Sequence, residues 1–171
     1  KIKMKLHLKT VGNTDTWITP KYITDALGEF DLDPCAHTDM PWQHAKKQYT
    51  IEDDGLSQEW EGRVWLNPPF NRYQISQWMA KMAEHKNGIM LLSAALETER
   101  FRKYVWGKAV GICFMNHRPV FRLPNGEKPK NNSGQTVCLI AYDDYNMESL
   151  INSKLGVTIS AKVITKLAMK L

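Results

Sequence analysis

The chain has 171 residues, 43% hydrophobic and 24% charged, with a formal net charge of +5. This is the composition of an ordinary globular protein of one domain, long enough for a substantial core, and its basic balance favours a polyanionic partner. No apolar run approaches the ~20 residues of a membrane helix and no cationic, apolar leader is visible, so no membrane partner and a cytoplasmic location are expected.

Lys1 to Asn13 alternates lysine with apolar residues, and residues 1–14 are read as a loose arm or an edge strand. Lys21 to Leu27 reads as a helix, with Thr19 as its cap, Pro20 in its first turn and Gly28 as its stop. Phe30-Asp31-Leu32-Asp33 is a short strand that ends in an acid and meets Pro34. Residues 36–62 are polar and poorly periodic. Arg63 to Leu66 is a second strand. Ile75, Trp78, Met79 and Met82 share one face of a helix from Tyr73 to His85. Gly88 to Ser93 is a continuous apolar run, as in a strand buried on both faces. Glu97 to Trp106 follows as a helix with Phe101, Val105 and Tyr104 inward. Val110 to Met115 and Thr136 to Tyr142 are further strands, separated by a polar segment, 117–135, with three prolines. The tail from residue 146 on is ambiguous and ends in a helix or an edge strand. Cys35, Cys113 and Cys138 are odd in number and lack zinc spacing, so they read as reduced core cysteines, with a Cys113–Cys138 bridge open but not favoured.

Strands alternating with helices predict an α/β fold with a mostly parallel sheet covered on both faces. Ligands on such sheets bind at the carboxyl ends of the strands. Asp33 and Asn67 both sit at such ends and are expected to face one cleft.

Asn67-Pro68-Pro69-Phe70 is the most informative stretch. Proline lacks an N–H and fixes φ, so the strand stops in a stiff tip. That tip offers acceptors, the Asn67 amide oxygen and the Pro68 carbonyl, beside the Phe70 ring. Acceptors next to a flat ring suit a planar group bearing an NH2, such as a base amine. Gripping both N–H groups frees a lone pair otherwise delocalised into the base, and the nitrogen then attacks a methyl sulfonium in line.

Three segments in one order carry a family resemblance: Asp15-Thr16-Trp17-Ile18-Thr19-Pro20, Leu32-Asp33-Pro34-Cys35-Ala36-His37, and Asp54-Gly55-Leu56 ahead of Trp65-Leu66-Asn67-Pro68-Pro69-Phe70. From about residue 15 to 142 the chain resembles the phage-type DNA N6-adenine methyltransferases, a compact Dam-like group using S-adenosylmethionine. The resemblance implies a Rossmann-like methyltransferase sheet, a flipped target adenine and the product N6-methyladenine. It implies Asn67, Pro68, Pro69 and Phe70 as the catalytic tetrapeptide, with Phe where Tyr is frequent. It also implies Asp33, Pro34, Cys35 and Ala36 at the methionine end of the cofactor. Asp54 falls on its adenine amine, and Trp17, Thr19 and Pro20 on the amino-terminal cofactor segment. His37-Thr38-Asp39 lacks the glycine-rich turn frequent in methyltransferases, so the cofactor loop differs in detail. Asp39 and Glu52 are the guesses for a ribose-binding acid. No metal is expected.

A duplex hides the adenine amine, and basic contacts to phosphate offset the cost of extruding the base. The segment at 116–135 is the candidate DNA-contact loop, with Arg118, Arg122, Lys128 and Lys130 as its cations. Arg72 and Lys46-Lys47 are secondary choices. There is no room for a large recognition domain, so specificity falls to loops or to a second subunit of a monomer or weak homodimer. The alternatives are methylation of RNA adenine or of a protein glutamine, and an inactive relative that only binds nucleic acid.

Overall fold

The computed structural model describes residues 17–130 and 136–168. The expected arm at 1–14, the motif residues Asp15 and Thr16, and the part of the polar segment at 131–135 lie outside them.

The first helix, α1 (Lys21–Leu27), ends at Gly28, whose φ of 87° is open to glycine and strained for other residues. Pro20 occupies its N-cap, and no side chain caps it. The expected cap, Thr19, is spent elsewhere, because its hydroxyl accepts from Asn67. Strand β1 (Leu32–Asp33) is followed by β2 (Lys47–Gln48), which lies inside the polar, poorly periodic stretch at 36–62, where no strand was expected. Two residues are too few to show a period, and the ladder to β1 makes β2 a strand. Strand β3 (Val64–Leu66) leads into α2 (Ile75–His85), whose buried face is Ile75, Trp78, Met79 and Met82. Then come β4 (Gly88–Ser93), α3 (Glu99–Tyr104), β5 (Gly111–Met115) and β6 (Val137–Ala141). The ambiguous tail resolves into α4 (Asp144–Ser153), β7 (Gly156–Ser160) and α5 (Ala161–Ala168).

The strands form one mixed sheet in the order β2-β1-β3-β4-β6-β5-β7. The pairs β2–β1, β1–β3 and β3–β4 are parallel, and the pairs β4–β6, β6–β5 and β5–β7 are antiparallel. The expected mostly parallel sheet is corrected on this half. Strands β1 to β5 share one direction, but β6 is inserted head-to-tail between β4 and β5, so both of its ladders are antiparallel. A strand buried on both faces reads as the same apolar run in either direction, and the sequence pattern is blind to the inversion.

Alternate side chains of the strands feed two cores. Val64, Leu66, Met90, Leu92 and Ile140 pack with α2 and α3 on one face. Trp65, Ile89, Leu91 and Leu139 pack with α1 and α4 on the other. Cys113 and Cys138 are free and buried. They belong to opposite cores, since Cys113 faces Leu139 and Cys138 faces Phe114 across the ladder. The pleat therefore keeps them from bridging.

Candidate active site

Leu32 of β1 pairs in register with Val64 of β3, so both strands stop at the same edge of the sheet. There Asp33 and Asn67 line one cavity of about 270 Å³. The cavity gathers Pro68, Pro69 and Phe70 of the rigid tip, and Pro34, Cys35 and Ala36 from the end of β1. Trp17, Thr19 and Asp54 complete the set expected from sequence, while Pro20 is buried at the head of α1 and does not line it. Among the described residues Asp33 and Asp54 are the carboxylates that line it, and Asp39 and Glu52, the guesses for a ribose acid, do not.

The Asn67 amide has a fixed rotation. Its Nδ2 donates to the Trp17 carbonyl at 3.0 Å and to Thr19 Oγ1 at 3.1 Å. A backbone carbonyl only accepts, so the nitrogen belongs on that side and Oδ1 is turned away from it. Neither Oδ1 nor the Pro68 carbonyl takes a hydrogen bond from the described residues. The corner thus keeps two acceptors. Phe70 also lines a second cavity of about 120 Å³, with Ser93 at the end of β4 and Arg100 of α3.

Asp33 is 3% exposed and accepts one hydrogen bond, from the Cys35 N–H at 3.0 Å. Burial lifts its carboxyl to about pH 7, against the smaller opposite effect of that bond. A buried carboxylate with so little solvation is stabilised by a cationic partner. Burial also drives the Cys35 thiol far above its usual range, with the Asp33 charge adding to it. Cys35 is therefore no thiolate nucleophile.

Asp54 sits in a tight turn with φ of 50°. The turn is pressed against the end of β1: a Cβ on Gly55 would lie 1.9 Å from the Pro34 carbonyl oxygen. Lys81 of α2 clamps it from behind through the carbonyls of Leu56, at 2.7 Å, and Gln58. The Trp60 indole donates to the Gly55 carbonyl at 2.8 Å.

The cavity also takes in residues that sequence reasoning missed. Trp78, read only as core, lines it, as does Ile51, which is 89% exposed at its rim. His44 lies 3.0 Å from Thr24 Oγ1 through Nδ1 and packs its ring against Trp65 at 6.1 Å. Burial lowers its pKa to about 4, so the imidazole is neutral at physiological pH. Nothing in a polar stretch without period marks this histidine.

The sequence profile described as DNA N-6-adenine-methyltransferase (Dam) matches residues 7–161. The chain belongs to this family. A DNA N-6-adenine-methyltransferase of Escherichia phage T1 is 36% identical over 95 residues, covering 51% of this chain and 39% of the phage protein. The chain thus matches about two fifths of that relative's length. No solved structure matches.

In this Dam-family chain the described part of the basic segment, 116–130, is anchored to the body of the protein. Phe121 is 2% exposed in the core on the α1 face, and Pro119 is buried. Arg122 and Ile18 exchange both backbone hydrogen bonds, at 2.9 and 3.0 Å. Arg118, Lys128 and Lys130 are exposed, Arg122 is half-buried, and Arg72 is exposed with its guanidinium over the Tyr73 ring at 4.7 Å. None of these five lines the cavity, and none pairs with a carboxylate among the described residues. Lys46, by contrast, is taken by Glu29 at 3.4 Å and Asp31 at 3.2 Å, and Lys47 lies over the Tyr49 ring. Among the described residues no group of three or more histidines, cysteines or acids is placed to hold a metal, and no helix is long and apolar enough to cross a membrane.

Proposed function

We propose that this chain transfers a methyl group from S-adenosylmethionine to the exocyclic amine of an extruded adenine in DNA. Family membership supports the reaction class. The observation that carries the reading is the Asn67 corner: an amide with its nitrogen tied down and its oxygen uncommitted, on the cavity that also holds the buried Asp33. The shared direction of β1 to β5, with helices on both faces, supports a Rossmann-like sheet with its site at the strand ends.

The donor set fits the cofactor. A buried, barely solvated carboxylate suits its cationic groups, and Asp54 at the far turn suits its adenine amine. Trp17 supplies an aromatic face. When bound, S-adenosylmethionine supplies a methyl group on a sulfonium as the electrophile. Asn67 Oδ1 and the Pro68 carbonyl accept the two N–H groups of the target amine. Phe70 stacks on the base and holds it. Pulled toward a tetrahedral shape, the nitrogen directs its lone pair at the methyl carbon. Bound S-adenosylmethionine would supply the methyl carbon, its S–C electron pair leaving on sulfur, while Asn67 Oδ1 and the Pro68 carbonyl would hold the amine hydrogens and stabilise the positive charge on nitrogen until one proton is lost to water. Extruding the base costs a few kcal/mol, which phosphate contacts from Arg72, Arg118, Arg122, Lys128 and Lys130 offset.

A labelled-methyl transfer assay on DNA, RNA and protein tests the assignment. Label recovered as N6-methyladenine in DNA is the expected result. Label confined to RNA or to a protein glutamine, or no transfer to any of the three, contradicts it.

A further inference from the structure

Residues 17–19 lie as a strap beside the catalytic corner. On one side the strap offers the Trp17 carbonyl and Thr19 Oγ1, both accepting from Asn67 Nδ2. On the other it is pinned at two points. Ile18 shares its backbone hydrogen bonds with Arg122, and the Trp42 indole donates to the Thr19 carbonyl at 3.2 Å. Thr19 itself is 1% exposed, so its hydroxyl is directed at protein partners rather than at bulk solvent.

We infer that Thr19 is a positioning residue: the Trp17 carbonyl, which only accepts, chooses the rotation of the Asn67 amide, and the Thr19 hydroxyl takes its second N–H and holds the amide plane so that oxygen, not NH2, meets the incoming amine. An amide has nearly the same shape when turned by half a circle, so packing alone does not choose between its two ends. The choice has chemical weight. An NH2 facing the target amine sets donor against donor and removes an acceptor from the developing positive charge. The turned form would set Oδ1 against the Trp17 carbonyl, while the Thr19 hydroxyl could rotate to meet either end, so the carbonyl makes the choice and the hydroxyl limits how far the amide swings. The inference rests on the reading of Asn67 as the group that grips the amine. It gives Thr19 a different task from the cofactor contact that the family resemblance implies.

Thr19→Val keeps the branched shape and loses the hydroxyl, while Thr19→Ser keeps the hydroxyl. The expected result for Thr19→Val is a kcat lower by roughly 10- to 100-fold, with the dissociation constant of S-adenosylhomocysteine within about twofold of the parent. Thr19→Ser restores most of kcat. A parent-like kcat in Thr19→Val overturns the inference. So does a loss seen mainly as weaker S-adenosylhomocysteine binding, which returns Thr19 to the cofactor. A measurement on the unsubstituted protein is independent of how the variants fold: the Asn67 side-chain NH2 protons exchange with water at least about tenfold more slowly than those of the exposed Asn71, and equal rates overturn the inference. Asn67→Ala separates the two levels. Full activity there removes the corner itself, whereas an inactive Asn67→Ala beside a normal Thr19→Val removes only the strap.

Discussion

At Asp33 the chain holds a carboxyl group where water does not reach it. In the folded, unliganded chain that group keeps its proton up to about pH 7, whereas in an unfolded chain aspartate loses it near pH 4. The folded form binds the extra proton across that window, so its stabilising contribution is full below about pH 4 and is lost as pH rises through 7. His44, held down to about 4 by burial, gives the opposite slope, lost as pH falls below 6.5. Only a comparison with Asp33→Asn isolates the carboxyl. The expected outcome by calorimetry is that parent stability declines relative to Asp33→Asn between pH 4 and 7. Affinity of the parent for S-adenosylmethionine should rise over the same range and level off above 7, while Asn at this position gives weaker, flat binding. A parent affinity independent of pH removes Asp33 as the partner of the cofactor's cation. At this scale the tip was legible from sequence, because Asn67-Pro68-Pro69-Phe70 combines two prolines with an acceptor and a ring in adjacent positions. The Thr19 and Trp17 contacts to Asn67 were not, because they join residues 48 and 50 positions apart and leave no local pattern. His44 was silent for the same reason.

Among the elements, β3 has the most to carry, since its end aims the corner. Arg63, just ahead of it, is 6% exposed and joins three parts of the chain. Its guanidinium donates to Asn146 Oδ1 at 2.7 Å, to the Glu29 carbonyl at 2.8 Å and to Ser149 Oγ at 2.9 Å, and it lies over the Phe30 ring at 4.2 Å. The start of β3 is thereby bound to α4 and to the end of α1. Arg63→Met keeps the apolar stem and strands those acceptors, so it should cost about 2–4 kcal/mol and lower the melting temperature by roughly 5–15 °C. An unchanged melting curve would deny this tie. Long, strongly patterned elements such as α2 and β4 were readable from spacing alone. The inverted β6 and the two-residue β2 were not, because strand direction and short ladders are set by partners far along the chain. The tail hid α4, β7 and α5 because β7 is an edge strand with a half-exposed pattern, weak in the alternation that marks a strand.

At the scale of the molecule, Arg118, Arg122, Lys128 and Lys130 stand on the anchored basic segment without a carboxylate partner among the described residues, and none of them lines the cavity. The sequence marked this segment by its charge and length, but not the Phe121 plug or the Arg122 ladder that hold it against residue 18. Arg118→Gln combined with Arg122→Gln removes two charges and leaves the backbone ladder in place. DNA affinity should fall, and the slope of log affinity against log salt should flatten by about 1–2. If affinity and slope both hold, the segment is not the DNA surface. The proposed function stands on the Asn67 corner. Its direct test is single-turnover methyl transfer to DNA by Asn67→Ala, beside calorimetry of S-adenosylmethionine binding to the same variant. The account predicts transfer lost by at least about 100-fold with binding retained within a few fold; transfer at the parent's rate would contradict it.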